Sequence, residues 1–347
     1  MSQKWTVKDE LRPLYSLKKL YDTSIRSMGF ELDDPSGFEQ WRVQLKGKVI
    51  KLLGDFPERV PLEPQVLECK EFDNYIREKV VFHSAPYIDV PAYILLPKGI
   101  QGKVPGVVAL HGHGYGKNDL VGLWEDGTER SIPDGYQGDF ALEIVRRGMA
   151  VIVPDQIGFG ERREMEDIER GYDANSCRKL AFWAHMLGKT AVGMRVWDVM
   201  RSIDYLATLP QVDQDRIGCM GISGGGTTTL FAAALDERIK AAVISGYLNT
   251  FKDSIMSIYH CECNYIPGIL KYAEMYDIAS MIAPRPLLIE NGTKDMLFPI
   301  EAANAAYEHV KRAYKLLKAE DKLDRDVFEG RHRISGRKAY DWLERWL

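Results

Sequence analysis

Hydrophobic and polar residues follow one another along most of this chain in a pattern that predicts strands and helices in turn. Short apolar runs such as "VPGVVAL" and "RPLLIE" predict buried strands. Longer segments with apolar residues every three or four positions predict helices, as in "AVGMRVWDVMRSIDYLATLP", which Pro210 ends. Strands that alternate with helices are typical of a parallel sheet covered by helices. The pattern therefore predicts an α/β fold with a mostly parallel central sheet.

The first part of the chain departs from this rhythm. The segment "SGFEQWRVQLKGKVIKLLG" from Ser36 predicts a helix that Gly54 ends, and residues 64–97 predict short strands of an antiparallel sheet edge. We predict a helical N-terminal extension over residues 1–80, packed on a main α/β domain over residues 81–347. Its helices could cap a binding site or join copies of the chain in a homo-oligomer.

Three connections are too long for simple turns: residues 115–138, 158–190 and 248–284. Each follows a strand at the side of the sheet where ligands bind in such folds. We expect them to be lid-like insertions that form the walls of a pocket. They carry aromatic side chains that would either shape that pocket or pack inside the insertions: Trp124, Tyr136, Trp183 and Tyr265.

The charge and composition of the chain narrow the class of ligand. The 347 residues carry a formal net charge of -4, which gives no electrostatic reason to expect nucleic acid or an anionic membrane as a partner. The N-terminus lacks the uninterrupted apolar stretch of a secretory signal, and the five cysteines have no disulfide-framework spacing. We therefore expect a cytoplasmic protein with reduced thiols and a small-molecule ligand.

The segment "GISGG" places Ser223 inside a G-x-S-x-G motif between a predicted strand and a predicted helix. In this context the motif predicts a nucleophile elbow, a sharp turn that exposes the serine above the sheet. Gly224 would then offer its N–H to an oxyanion at the start of the helix. The alternative is a serine- and glycine-rich turn that only packs closely against its neighbours.

A nucleophilic serine needs a base that an acid orients, in the chain order serine, acid, histidine. His332, in "VFEGRHRIS", follows a short strand and a glycine, and it is the favoured base. His309 lies in a predicted surface helix. His260 precedes any acid at the end of a later strand.

Asp295, just past the strand in "RPLLIENGTKD", is the favoured acid on position alone. Glu290, inside that strand, and Asp277, before it, are the competitors. Asp295 could instead cap the helix that starts near Pro299.

The turn "LHGHGYG" after the first central strand would supply the second oxyanion donor, the N–H of His113. As an alternative, His111 and His113 could be metal ligands, but no second ligand pair follows at a suitable spacing, so we predict no metal. Cys261 and Cys263 in "HCEC" likewise lack a partner pair and are expected to be pocket or core thiols. Asp155 would support His111 or the oxyanion loop, or simply form a turn.

Five blocks give the chain a resemblance to a known superfamily: "LHGHG", "PDQIGFGER", "GISGGGTTT", "IAPRPLLIENGTKDMLFP" and "FEGRH". In this order they make residues 86–347 resemble the α/β-hydrolases. The nearest branch is that of the bacterial acetyl-xylan-esterase and dienelactone-hydrolase-like esterases. The residues before about 80 resemble it only as a helical extension.

The resemblance implies hydrolysis of carboxylic esters through an acyl-serine intermediate, without a cofactor. It implies Ser223 as nucleophile, Asp295 and His332 as the rest of the triad, and His113 and Gly224 as oxyanion donors. Ser223 stands where dienelactone hydrolases proper carry cysteine, which argues against that substrate. Gly224 stands where acetyl-xylan esterases usually carry glutamine.

Two other functions are compatible with such a fold. Serine peptidases of the prolyl-oligopeptidase type share the elbow and the triad order, but they normally carry a large β-propeller for which the first 85 or so residues leave no room. A non-catalytic ligand-binding homologue would be expected to lack a triad member. The charged segments that should wall the site favour a small ester with a short acyl group, such as acetyl, over a lipid chain.

Overall fold

The computed structural model describes residues 8–171 and 174–347, and within these ranges nine strands form one sheet. In chain order the strands are β1 (Gln65–Glu71), β2 (Tyr75–Ala85), β3 (Ile88–Pro97), β4 (Val104–Leu110), β5 (Ala150–Pro154), β6 (Val212–Ile222), β7 (Ile239–Ser245), β8 (Leu287–Gly292) and β9 (Leu323–Phe328). Their order across the sheet is β1-β2-β3-β5-β4-β6-β7-β8-β9. All neighbours from β5 to β9 are parallel, whereas β1, β2 and β3 join as antiparallel strands at one edge.

Helices cover both faces of this sheet, which confirms the predicted α/β architecture. In chain order they are α1 (Pro13–Thr23), α2 (Phe38–Leu53), α3 (Phe140–Arg146), α4 (Met165–Ile168), α5 (Cys177–Met186), α6 (Ala191–Leu206), α7 (Gly224–Leu235), α8 (Met275–Ser280), α9 (Ile300–Leu316) and α10 (Ala339–Trp346).

Two apolar layers separate the helices from the sheet, because successive residues of a strand point to opposite faces. On β4, Val108 and Leu110 belong to the layer packed under α2, α6, α7, α8 and α9. Val107 and Ala109 belong to the opposite layer, under α3 and α10. The central strands are therefore buried on both faces, as continuous apolar runs predict.

The structure corrects the extent of the helical N-terminal part. Residues 65–79, which the sequence assigned to the extension, form β1 and the first half of β2, because their backbone pairs with the sheet edge along its length. The helical part is therefore limited to the residues before β1, and residues 1–7 of the extension lie outside the described residues. The two-domain division stays a prediction.

The two N-terminal helices differ in how they meet the core. One side of α2 packs on the core through five buried side chains: Phe38, Trp41, Leu45, Val49 and Leu53. Helix α1 has no buried residue, and Leu14, Leu17 and Leu20 on it are exposed. It contacts the body of the protein through the hydroxyl of Tyr21, which donates to Glu274 at 2.9 Å. Whether these helices join copies of the chain also stays a prediction.

The parallel strands end at a common edge of the sheet, and this edge carries the candidate residues. The turns after β4, β6 and β8 hold His113, Ser223 and Asp295, and the turn after β9 holds His332. Since ligands bind beyond the carboxyl ends of parallel strands, this is the edge where a site is expected. None of the helices in the described ranges combines the length and the apolar character that a membrane span requires.

Candidate active site

The turn from β6 into α7 holds Ser223 in a backbone conformation that side-chain-bearing residues rarely adopt, with φ 56° and ψ -119°. Glycines on both sides make the turn sterically feasible. A Cβ on Gly221 would lie 2.4 Å from the carbonyl oxygen of Gly225, and one on Gly225 would lie 2.0 Å from the carbonyl oxygen of Leu110. This is the strained strand–turn–helix geometry of a nucleophile elbow.

Asp295 and His332 are brought together by the turns after β8 and β9. His332 Nδ1 lies 2.7 Å from Asp295 Oδ2. The other carboxylate oxygen, Oδ1, accepts the backbone N–H groups of Leu297 at 2.9 Å and Phe298 at 3.1 Å. The carboxylate is therefore fixed by its own turn while it holds the imidazole. Asp295 thereby organises the turn before α9 but does not cap the helix, whose N-cap position is Pro299, so the alternative role as a helix cap is wrong.

The ring of His332 packs against two aromatic rings. The centroid of Tyr136 is 5.3 Å from it and that of Phe298 is 5.7 Å away, with the Phe298 ring stacked. His332 Nε2 is buried and, in the described part of the chain, has no hydrogen-bond partner. His332 and Ser223 line the same cavity, so the free nitrogen belongs to the pocket of the serine. No pattern in the sequence pointed to Phe298, because its position beside His332 depends on the turn that Asp295 organises.

Two backbone N–H groups are available to an oxyanion beside Ser223. Neither the N–H of His113 nor that of Gly224 donates a hydrogen bond within residues 8–171 and 174–347. The carbonyl group of His113, in contrast, is bound: its oxygen accepts a hydrogen bond of 2.7 Å from the hydroxyl of Tyr136. The preceding N–H, that of Gly112, donates to Oε1 of Gln137 at 2.7 Å. Residues of the first insertion thus position the loop after β4.

His111 and Asp155 are fully buried beneath this loop and act as supports of it. His111 Nε2 accepts the N–H of Gln156 at 2.9 Å, and Nδ1 lies 2.7 Å from the carbonyl oxygen of Gly112. Burial lowers the pKa of His111 to about 4, against the opposing effect of Asp155, so the ring is neutral near pH 7.

Asp155 accepts hydrogen bonds from Lys117 twice, at 2.7 Å from the backbone N–H and at 2.8 Å from Nζ. Burial opposes ionisation of this carboxyl, but the Lys117 ammonium and His111 hold its pKa below the usual value. The carboxylate thereby ties Lys117, in the segment after β4, to the end of β5. Lys117 itself was not singled out from the sequence.

Within residues 8–171 and 174–347, neither of the competing histidines has a hydrogen-bonded carboxylate at the site. His260 lines the cavity of Ser223, but its Nδ1 lies 3.3 Å from the amide nitrogen of Asn264 rather than beside a carboxylate. Burial lowers its pKa. His309 stacks on Tyr276 of α8, with centroids 4.1 Å apart.

The competing acids are likewise engaged elsewhere. Asp277 accepts the backbone N–H groups of Phe30 and Glu274, each at 2.8 Å, in the cap of α8, and burial raises its pKa to about 6. Glu290 accepts the N–H of Gly336 at 2.9 Å, and burial raises its pKa too. Among the described carboxylates, Asp295 is the one bonded to His332.

The cavity beside Ser223 has a volume of about 260 Å³. Its walls come from the loop after β4, from the first and third insertions, and from the turns that carry the candidate residues: His113, Tyr136, Ser223, Ile258, Tyr259, His260, Cys261, Leu297 and His332. A neighbouring cavity of about 890 Å³ shares Tyr259, His260 and Cys261 with it.

The three other candidate pocket residues lie farther out, and one of them, Trp183 on α5, is exposed and lines neither cavity. Tyr265 lines the neighbouring cavity, and its hydroxyl donates to the carbonyl oxygen of Ile255 at 3.0 Å. Trp124 does not line the cavity of Ser223. It is partly exposed beside Tyr115 and beneath the guanidinium of Arg130, because the first insertion turns outward there.

One further group of side chains adjoins the cavity. His113, Cys177, Cys261 and Cys263 present ligand atoms that all lie within 4.8 Å of one another, and we call them the Cys₃His cluster. His111, which the sequence paired with His113 as an alternative metal ligand, faces Gln156 instead. The sequence analysis did not group His113 with the cysteines. The four residues lie in three separate segments, and their spacing along the chain does not indicate a common metal site.

Comparisons with known proteins agree with this architecture. A sequence model described as "Abhydrolase family" matches residues 17–335. The Bacillus subtilis (strain 168) protein "Putative hydrolase YtaP" is 29% identical over 284 residues, which cover 79% of this chain and 88% of that protein.

Two solved structures show the same fold at low identity. A "putative acetyl xylan esterase (BF1801) from Bacteroides fragilis NCTC 9343" superposes with a TM-score of 0.78 at 20% identity, over 94% of this chain and 84% of that one. "Glucuronoyl Esterase from Solibacter usitatus" superposes with a TM-score of 0.66 at 14% identity, over 90% and 93% of the two chains. With its elbow, its sheet order and a family match over most of its length, this chain belongs to the Abhydrolase family.

Proposed function

We propose that this protein hydrolyses carboxylic esters, with Ser223 as the nucleophile, His332 as the general base and Asp295 as the residue that orients the base. One observation carries the proposal. His332 is bonded to Asp295 through Nδ1 at 2.7 Å, while its Nε2 is free in the cavity that Ser223 lines. A serine hydroxyl becomes a competent nucleophile when such a nitrogen accepts its proton.

The reaction proceeds in two stages on these groups. The Ser223 oxygen attacks the carbonyl carbon of the ester while its proton passes to His332 Nε2, and the carbonyl oxygen becomes an oxyanion. The oxyanion accepts hydrogen bonds from the N–H groups of His113 and Gly224. The tetrahedral intermediate collapses as the bond to the alcohol oxygen breaks, and the imidazolium donates its proton to that leaving oxygen.

Water then releases the acyl group. Its oxygen attacks the acyl carbon as His332 Nε2 accepts a proton, and a second oxyanion forms in the same position. When it collapses, the bond to the Ser223 oxygen breaks and the proton returns to that oxygen, so the free acid leaves and the enzyme is restored. Asp295 keeps Nδ1–H oriented in both stages and stabilises the imidazolium.

The substrate we propose is a small ester with a short acyl group. The cavity of about 260 Å³ beside Ser223 is slightly smaller than the pockets of roughly 300–1,000 Å³ that bind drug-sized ligands. Most of its exposed lining is apolar, from side chains such as Ile258 and Leu297, so the small volume of the cavity is what favours a short acyl group over an extended hydrocarbon chain. The names of the structural neighbours support esters as the substrate class, since both are described as esterases.

Covalent labelling tests the proposal directly. We expect a fluorophosphonate probe to modify the parent chain once and peptide mass analysis to find the adduct on Ser223. The Ser223→Ala variant should lose at least about 10³-fold in turnover of an activated aryl acetate, because only the oxyanion donors and substrate binding then remain. Ser202→Ala, on α6 and away from the site, is the matched control and should keep both labelling and turnover.

Three results would count against it. An adduct on another residue or undiminished turnover in Ser223→Ala would remove Ser223 from its role. Labelling without turnover of any ester, together with cleavage of peptides, would favour the peptidase alternative. A parent chain that neither reacts nor turns over would favour a ligand-binding homologue.

A further inference from the structure

The Cys₃His cluster joins three segments that are far apart in the sequence. His113 lies in the loop after β4, Cys177 begins α5, and Cys261 and Cys263 lie in the third insertion. Cys177 and Cys263 are fully buried, and His113 and Cys261 are half-buried. His113 Nε2 is itself buried and, among the described residues, has no hydrogen-bond partner. Three thiols and an imidazole thus converge beside the cavity of Ser223, and no described group outside the cluster satisfies Nε2 of that imidazole.

The distances in the cluster suit a tetrahedral ion. Zinc–sulfur bonds of about 2.3 Å place the sulfur atoms of a tetrahedral centre about 3.8 Å apart. All ligand atoms of the cluster lie within 4.8 Å of one another, and Sγ of Cys261 is 3.2 Å from Sγ of Cys263. Small shifts in side-chain torsion angles would bring these atoms to the bonding positions.

The donor set selects the kind of metal. Thiolate and imidazole are the ligands of structural zinc sites, whereas magnesium, calcium and manganese prefer oxygen ligands. Four protein ligands leave no position open for water, so such an ion would hold the fold together rather than take part in the reaction.

A buried positive charge beside the cluster supports the assignment independently. Arg195 of α6 is 2% exposed and donates from its guanidinium to Cys177 Sγ at 3.3 Å and to the Ile157 carbonyl oxygen at 3.0 Å. In the part of the chain that the structure describes, no carboxylate forms an ion pair with it. A buried guanidinium needs a compensating negative charge. Zn²⁺ with three thiolates carries a net charge of -1, which would balance the charge of Arg195.

We propose that the Cys₃His cluster binds one structural zinc ion. The ion ties the loop that carries the His113 N–H to the start of α5 and to the third insertion, which walls the cavity of Ser223. Arg195 and the side-chain amide of Asn264, 3.6 Å from Cys263 Sγ, donate to the thiolates from outside. The proposal replaces the expectation from the sequence that the chain binds no metal.

Metal analysis of the full chain tests this. The chain is purified without a polyhistidine tag and without chelators, and its metals are measured by plasma mass spectrometry. We expect one zinc per chain in the parent and in Cys219→Ser, since Cys219 is a buried cysteine of β6 outside the cluster. Cys177→Ser and Cys263→Ser should retain a tenth of the zinc or less. X-ray absorption at the zinc edge of the parent should give three sulfur ligands at about 2.3 Å and one nitrogen at about 2.0 Å.

A second measurement on the parent chain does not depend on the folding of the variants. Under native conditions iodoacetamide should alkylate the exposed Cys69 and leave the cluster cysteines unmodified until a strong chelator removes the zinc. A metal-free parent with free cluster thiols or a disulfide among them would overturn the proposal, as would a different metal or ligand set. The zinc content is measured without any activity assay, and we expect Ser223→Ala to keep its zinc. Failure of the zinc proposal can therefore be distinguished from failure of the proposed ester hydrolysis.

Discussion

His332 can serve Ser223 only while Asp295 holds its Nδ1, because the two ring nitrogens have different tasks. One must carry the proton that the carboxylate accepts, and the other must be free to take the proton of the serine. The 2.7 Å contact with Asp295 and the unpartnered Nε2 satisfy both requirements. The rings of Tyr136 and Phe298 limit rotation that would exchange the two nitrogens.

Substitutions in this pair test its role at the level of single residues. We expect Asp295→Asn to lower kcat by about 10⁴-fold, because the amide donates to the ring and favours the wrong tautomer. His332→Ala should be at least as impaired. Both are measured by steady-state turnover of an aryl acetate. His309→Ala, a histidine on α9, is the matched control and should keep parental kcat, whereas a dead His260→Ala with an active His332→Ala would contradict the assignment.

His111 predicts a pH dependence of stability. Its pKa is about 4 in the folded chain, because burial disfavours the charged ring. In the unfolded chain the ring has its ordinary pKa of 6.5. Between these values the unfolded chain binds a proton that the folded chain excludes, so the free energy of unfolding rises with pH from about 4 to about 6.5 and is then constant for this group. Across that pH range, exclusion of the proton from His111 raises the free energy of unfolding by roughly 3 kcal/mol.

Urea unfolding of the parent and of His111→Gln at several pH values isolates this contribution. Glutamine cannot be protonated, so the variant should be less stable near neutral pH but should lose less stability on acidification than the parent. The carboxyl groups that titrate in the same pH range are present in both chains, so their contribution cancels when the unfolding free energy of the variant is subtracted from that of the parent. Parallel curves for the two chains would show that His111 is not the source.

At the scale of the elements, the junction of β6 and α7 is where the sequence was most informative. Ser223 can adopt φ 56° because its neighbours at Gly221 and Gly225 leave room for the backbone to fold back on itself. The third glycine of this turn, Gly224, has more space around it than Gly221 and Gly225. A Cβ on Gly224 would have its nearest neighbour, His113 Nδ1, at 3.7 Å, an ordinary contact.

Two alanine substitutions should therefore differ in their effect on stability. Gly225→Ala places a Cβ 2.0 Å from the Leu110 carbonyl oxygen, so β4 or α7 must shift, and we expect a loss of at least about 1–3 kcal/mol in unfolding free energy. Gly224→Ala, the matched control one residue away, should remain within about 1 kcal/mol of the parent, because there is space for its methyl group. Denaturant unfolding of both variants measures the contrast, and equal losses would contradict it.

The same elements explain which features were predictable. Ser223, Asp295 and His332 each follow a strand directly, and the edge of a parallel sheet brings such turns together, so order along the chain was enough to predict their meeting. Residues 65–79 fell inside the predicted helical extension although their local pattern indicated strands, because the pairing of β1 and β2 with the edge of the central sheet is a long-range interaction that the pattern alone does not show. The Cys₃His cluster was missed for the same reason. Its ligands come from separate segments, and the proximity of His113 to Cys177 exists only in the folded chain.

For the molecule as a whole, the insertions rather than the sheet decide what reaches Ser223. The fold is shared with solved structures that are 20% identical or less, whereas the cavity walls come from Tyr136 of the first insertion and Ile258 and Tyr259 of the third. The second insertion contributes Phe182 and His185 to the adjoining cavity. If the proposed mechanism holds, selectivity therefore depends on segments far from Ser223, Asp295 and His332 in sequence.

The size of the cavity predicts how turnover depends on acyl length. We expect kcat/KM for p-nitrophenyl esters to be highest from acetate to about butyrate and to fall toward dodecanoate. A long chain gains about 0.8 kcal/mol for each methylene only if that methylene is buried against an apolar surface, and a cavity of about 260 Å³ has too little room to bury many of them. The series is measured below micelle-forming concentrations so that each ester is monomeric. Leu297→Ala, which enlarges the cavity beside His332, should shift the optimum toward longer chains. A steady rise of kcat/KM from acetate to dodecanoate in the parent would instead mean that the acyl chain extends into the neighbouring cavity of about 890 Å³ beyond Tyr259.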